Sequence, residues 1–313
     1  MGRYLLTGAG FSRKWGAPLA AGLWAFIYNN LSIQNNSDCR DVLLSEDNFE
    51  TAYSNILKTK NEFAQAAISE ALKDAFKYID DEIRQNRDAV GGTQNFLEIF
   101  LYQTLGKKAG IITLNQDLLL ERHFLFSSQQ QIKSNILPLH HLYVDGIDWG
   151  EVPPKIKIPV NTENLKFDLE LNAINYIKLH GSSNWVDSND SDLMIIGNEK
   201  NSQINEFNVL NKMLKLVRSL LKEGKNKLLI IGYSFCDDHI NDILSDAICN
   251  AELKLYIISP SPYHDLQSRV QDFSGKLAAD RISKAVCGYY DVTFEEFISS
   301  TALMSQFRAG FID

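Results

Sequence analysis

Five short runs of apolar residues, rich in β-branched and aromatic side chains, constrain this chain more than any other feature. They are Arg3–Thr7, Gly110–Leu114, Tyr176–Leu179, Lys227–Ile231 and Lys254–Ile258. Each is nearly continuous in apolar character instead of alternating, the pattern of a strand buried on both faces of a parallel sheet. Between the runs, apolar residues recur at helical spacing, as at Leu72, Ala75, Phe76, Ile79 and Ile83, and again at Leu210, Leu214, Val217 and Leu221. Strands alternating with helices predict an α/β fold built on a doubly wound parallel sheet with right-handed crossovers.

A chain of 313 residues accommodates this as one large domain with insertions. Its core is expected over about residues 1–30, 96–125 and 176–265. A mainly helical insertion is expected over 31–95. Residues 126–175, which carry His140, Trp149, Pro153, Pro154 and Pro159, read as a loop-rich insertion. Residues 266–313 are expected to form a helical tail packed on the sheet.

Each apolar run ends at once in a polar or Gly-rich cluster: TGAGFS, TLNQD, LHGSSNW, GYSFCDDHIN and SPSP. In an open parallel sheet, ligands bind beyond the carboxyl ends of the strands, so the clusters should converge on one crevice. Gly8, Ala9, Gly10 and Ser12 could form an ordinary strand-to-helix turn or a cradle for a pyrophosphate. The usual dinucleotide fingerprint wants a third Gly where Arg13 stands, so the loop alone decides nothing. Asn115 and Asp117 could end a strand and cap a helix. They could equally position a water and a ribose hydroxyl, and bind a carboxamide. His180 closes an apolar run beside them, as a core-edge residue or as a general base. Gly232 and Ser234 suit either a turn or the adenosine side of a ligand. Asp237 is expected chiefly to cap the following helix.

Composition removes several classes. A net charge of −8 argues against a broad nucleic-acid surface, and no direct nucleic-acid partner is expected. No apolar run approaches the ~18 residues of a membrane span, and no signal-like segment precedes the first strand, so a cytoplasmic protein is expected. The four cysteines, Cys39, Cys236, Cys249 and Cys287, contain no C-x-x-C pair, and the histidines have no chelating spacing. No metal is expected.

Taken in order, GAGFSRKWGAP, TLNQDLLLE, KLHGS and GYSFCDDHIN resemble the sirtuin superfamily, and within it the bacterial SIR2-like NAD-hydrolase branch of anti-phage defence systems. Gly8, Gly10, Ser12, Gly16, Pro18, Thr113, Asn115, Asp117, His180, Gly181, Gly232 and Ser234 match its motifs position by position, over about residues 3–260. The resemblance implies a Rossmann-like core and NAD as substrate. It further implies a catalytic set of Asn115, Asp117 and His180, with Gly8, Ala9, Gly10, Ser12, Gly16, Pro18, Thr113, Gly232, Ser234 and Asp237 on the dinucleotide. Two departures bear on the reaction. Deacylase sirtuins follow the His-Gly with two C-x-x-C pairs for a structural zinc, and continue the first loop as Pro-x-Phe-Arg. This chain has neither, reading Pro18-Leu-Ala-Ala. The expected activity is therefore cleavage of NAD to nicotinamide and ADP-ribose. A protein deacylase or ADP-ribosyl transferase, or a non-catalytic NAD sensor, are the alternatives. The resemblance also implies control by homo-oligomerisation or by a protein partner such as a hexameric ATPase or a short Argonaute.

Overall fold

The computed structural model describes residues 2–86, 90–102, 108–125, 133–138, 150–171 and 173–312. His140, His141 and Trp149 lie outside the described residues. The strands are β1 (Arg3–Thr7), β2 (Ala109–Thr113), β3 (Lys133–Ile136), β4 (Ile156–Lys157), β5 (Ala173–Lys178), β6 (Gly181–Val186), β7 (Asp192–Met194), β8 (Lys227–Ile231), β9 (Lys254–Ile258) and β10 (Val286–Tyr290). Seven of them form one sheet in the order β10-β9-β8-β1-β2-β5-β3, and every neighbouring pair is parallel. The fold is an α/β, Rossmann-like sheet flanked by helices. A small sheet of β4, β6 and β7 stands beside it.

The five central strands are the five apolar runs of the sequence. The chain leaves β1 for β2, β3 and β5 on one side, then returns to β8 on the other, so the winding reverses at β1. That reversal opens the ligand crevice of a doubly wound sheet at the carboxyl ends of β1 and its neighbours. All five residues of β1, of β2 and of β8 are buried. This explains why these segments are apolar on both faces.

The described residues between β1 and β2 are mainly helical. They form α1 (Ala9–Ser12), α2 (Ala20–Tyr28), α3 (Leu31–Gln34), α4 (Ser37–Ser45), α5 (Phe49–Lys58), α6 (Glu62–Gln85) and α7 (Val90–Tyr102). Asparagines start four of these helices. Asn30, Asn36, Asn48 and Asn61 each accept a hydrogen bond from an amide of the first turn. Each such side chain satisfies a donor that has no partner within the helix.

The tail differs from its expected all-helical form. A helix over Tyr263–Ala285 is followed by β10, which pairs with β9 at the edge of the sheet, and then by helices Phe294–Ser299 and Thr301–Phe307. The loop-rich stretch likewise contains β3, on the opposite edge. An edge strand is covered on fewer sides, and β10 is mostly half-buried, so it lacks the continuous apolar run of a central strand. The helix that Asp117 could cap is a short turn at Leu119–Leu120 that passes into a π-helical turn over Glu121–Leu125.

Candidate active site at the strand ends

Sheet register sets the geometry of the site. Thr113 of β2 is level with Lys178 of β5, so Asn115 and His180 each stand two residues beyond the last paired position on adjacent strands. Thr7 of β1 is level with both Thr113 and Ile231, which brings the Gly8–Ser12 turn and the Gly232–Asp237 turn to the same rim. A hydrogen bond of 2.8 Å joins the Thr7 and Thr113 hydroxyls beneath that rim, and the Thr113 hydroxyl accepts from the Asn115 amide at 3.1 Å.

The two glycine turns lock together. The Gly8 amide donates to Ile231 O and the Gly10 amide to Gly232 O, each at 3.0 Å, and Phe11 donates back to Gly8 O. A Cβ on Gly10 would lie 2.8 Å from Gly232 Cα. One on Gly232, whose φ is +69°, would lie 2.2 Å from Phe11 N. Close backbone approach alone therefore requires both glycines. Ala9 is exposed and its neighbour Gly10 half-buried, so this turn borders the open crevice. Gly16, at φ +91°, ends the following turn against Glu82 of α6, and Pro18 leads into α2.

Asn115 is held by this turn. Its side-chain nitrogen donates to Gly8 O at 3.1 Å and to Ser12 Oγ at 3.0 Å. A carbonyl can only accept, so the amide nitrogen must face Gly8 and the amide oxygen is turned the other way. Asp117 caps its own turn, accepting from the Leu119 amide at 3.1 Å. Below it, Lys178 donates to the Asp117 carbonyl at 2.5 Å and pairs with buried Glu121 at 2.9 Å.

His180 meets a residue that sequence reasoning passed over. Its Nε2 lies 3.0 Å from Nε2 of His239, with both side chains almost wholly buried. Burial pushes the His180 imidazole down to about 3, with Lys200 and His239 adding to the effect against Asp237 and the Leu114 backbone carbonyl. Burial likewise lowers His239, against Asp237. Asp237 stands at the N-cap position of the Asp238–Ala251 helix, yet its side chain makes no cap bond. It pairs instead with Lys200 at 2.5 Å, and Lys200 reaches Glu50 of α5 at 2.7 Å. Burial pushes the Asp237 carboxyl up, but Lys200 and His180 outweigh it and the net direction is down. The ligand atoms of His180, Asp237 and His239 lie within 4.8 Å of one another. Ser234 is exposed at the rim. Neither His239 nor Lys200 stands in a spacing that singles it out. Only the acidic Asp237-Asp238 beside a His at a strand end hinted at the cluster.

A family model for the SIR2-like domain matches residues 109–278, more than half of the chain. The chain belongs to the SIR2-like family. The matched span contains Asn115, Asp117, His180, Gly232, Ser234 and Asp237, while the Gly8–Pro18 turn precedes it. The family ties the chain to NAD. Comparison with curated proteins returns no match. No helix among the described residues is long and apolar enough to cross a membrane.

Proposed function

We propose that this SIR2-like site hydrolyses the nicotinamide–ribose bond of NAD, releasing nicotinamide and ADP-ribose. The observation that carries the reading is the pairing of Asn115 and His180 at one level on adjacent strand ends, with a buried imidazole kept neutral. Nicotinamide departs from its cationic pyridinium form as a neutral base, so the leaving group needs no acid. The site must instead hold the ribose, stabilise an oxocarbenium-like centre and place a water. The outward-turned oxygen of Asn115 accepts from that water and a ribose hydroxyl. Asp117 binds the carboxamide. His180 takes the proton from the hydroxyl or the water, through the Nε2 lone pair that rests against His239. Ala9 and the rim of the Gly8–Ser12 turn meet the pyrophosphate, since the Gly8 and Gly10 amides already have carbonyl partners. Gly16, Pro18 and Thr113 shape that side of the site, and Gly232, Ser234 and Asp237 border the adenosine side.

Because uncontrolled NAD cleavage would harm its own cell, we propose that the activity is gated by assembly or by a partner. The resemblance to defence NAD hydrolases supports a role as an NAD-depleting effector. The test is chromatography of NAD incubated with the pure chain, alone and with candidate partners, with and without an acyl-lysine peptide. Nicotinamide and ADP-ribose in equal amounts, whether or not peptide is present, are expected. Nicotinamide release that requires the peptide would replace hydrolysis with acyl transfer. Saturable NAD binding with no nicotinamide under any condition would leave only a sensor.

A further inference from the structure

We propose that His180, His239 and Asp237 bind a divalent cation of the zinc class, and that this cation holds the strand-end site inactive. Two imidazoles and a carboxylate are a donor set for zinc, not for magnesium or calcium. Zinc–nitrogen bonds of about 2.0–2.1 Å in a tetrahedron set two ligand nitrogens about 3.3 Å apart. The two Nε2 atoms are 3.0 Å apart, so a small opening of the pair admits the ion.

Proton placement points the same way. A hydrogen bond between the two Nε2 atoms requires one ring to donate and the other to present its lone pair. His239 Nδ1 is buried with no hydrogen-bond partner. An orphaned buried polar atom calls for an explanation. A cation in place of the shared proton supplies one. His239 then carries its proton on Nδ1, which faces the Asp238 carboxylate 3.6 Å away, and its Nε2 is a ligand. His239 then shows the arrangement usual for metal-bound histidine, with its second nitrogen turned to a carboxylate. Asp237 contributes the carboxylate oxygen that Lys200 does not hold. Lys200 is a single ammonium between Asp237 and Glu50, and Asp238 faces His239, so carboxylates outnumber the ammonium around the pair.

A cation on His180 Nε2 occupies the lone pair that would take the proton during NAD cleavage. This consequence rests on the NAD-cleavage reading, whereas the binding does not. The chelator-treated full chain is titrated with zinc by calorimetry, and with cobalt(II) by visible absorption. One equivalent per chain is expected, with a tetrahedral cobalt spectrum lacking a thiolate charge-transfer band. His239→Ala and Asp237→Asn should each weaken zinc binding about tenfold or more, whereas His264→Ala on the surface should not. Asp237→Asn keeps the test open if His239→Ala melts early. No binding, binding unchanged in both variants, or a thiolate band would overturn the site. Nicotinamide release unchanged at saturating zinc would overturn the inhibitory role. A chain that binds zinc in this way but never releases nicotinamide would overturn the NAD-cleavage reading and leave the metal site in place.

Discussion

Two lysine–carboxylate groups lie under the strand ends, and they are built differently. In the first, Lys178 and Glu121 are almost wholly buried, and every strong partner is in place. Glu121 takes the Lys178 ammonium on one oxygen and the Tyr176 hydroxyl on the other, while Lys178 also donates to the Asp117 carbonyl. In the second, Lys200, Asp237 and Glu50 are only partly covered, at 15%, 12% and 39% side-chain exposure. This group adjoins two imidazoles, one of which carries an orphaned nitrogen. A closed group of charges fixes the backbone around it. An open one, beside groups whose proton affinity is displaced, is where a ligand or a reaction belongs. The difference separates the support of the site from its chemistry.

The largest effect on stability should come from the closed group. Lys178→Ala leaves the Glu121 carboxylate buried without its cation and should cost about 3–5 kcal/mol in urea unfolding. Adding Glu121→Leu to Lys178→Met should recover most of that loss. Lys200→Ala, in the more open group, should cost less, about 1–3 kcal/mol. Equal losses at the two lysines would erase the distinction.

Acid should expose the open group next. His180 has its affinity for protons depressed in the fold, to about 3, while the unfolded chain takes up a proton near the ordinary value of 6.5. Between those limits the unfolded state binds more protons, so stability is complete above about pH 6.5 and falls as the pH drops toward 3. In chelator, the melting temperature should decline over this window, and His180→Gln should flatten the decline. An unchanged slope in that variant would remove the imidazole from the account.

The smallest effect lies in the tail, whose Phe294 packs on Phe11 with ring centroids 5.3 Å apart. Thr293 and Glu296 form a reciprocal cap at the start of the Phe294–Ser299 helix. Thr293→Ala should cost about 1 kcal/mol in urea unfolding and leave NAD affinity unchanged. A change in NAD affinity would mean that the tail communicates with the strand ends.

How far the sequence could be read follows the same division. The central strands were legible because two-sided burial leaves an unbroken apolar run, as in LLII of β8. The edge strands were not, since KSNI and VCGYY carry no such run. At the site, Asn115 and His180 were legible because each follows a readable strand directly. His239, Lys200 and Glu50 were not, because three separate helical segments bring them to the rim and no local spacing records that meeting. Asp237 was placed at the correct helix start, but the choice between its own helix and Lys200 is made by tertiary contacts. The glycines were visible as a turn, while their locking of one turn against the other needed both loops in place.

The central claim is that Asn115 and His180 serve one hydrolytic step. Nicotinamide release, NAD affinity and melting temperature should be measured on Asn115→Ala, His180→Ala and the double variant. Each single change should lower turnover on the order of 10²–10⁴-fold, and the double variant should be little worse than either, since groups acting as a unit are non-additive. NAD affinity should be largely retained, because the Ala9 rim and the Gly232 side are untouched. Folded, NAD-binding variants that release nicotinamide at the wild-type rate would contradict the assignment.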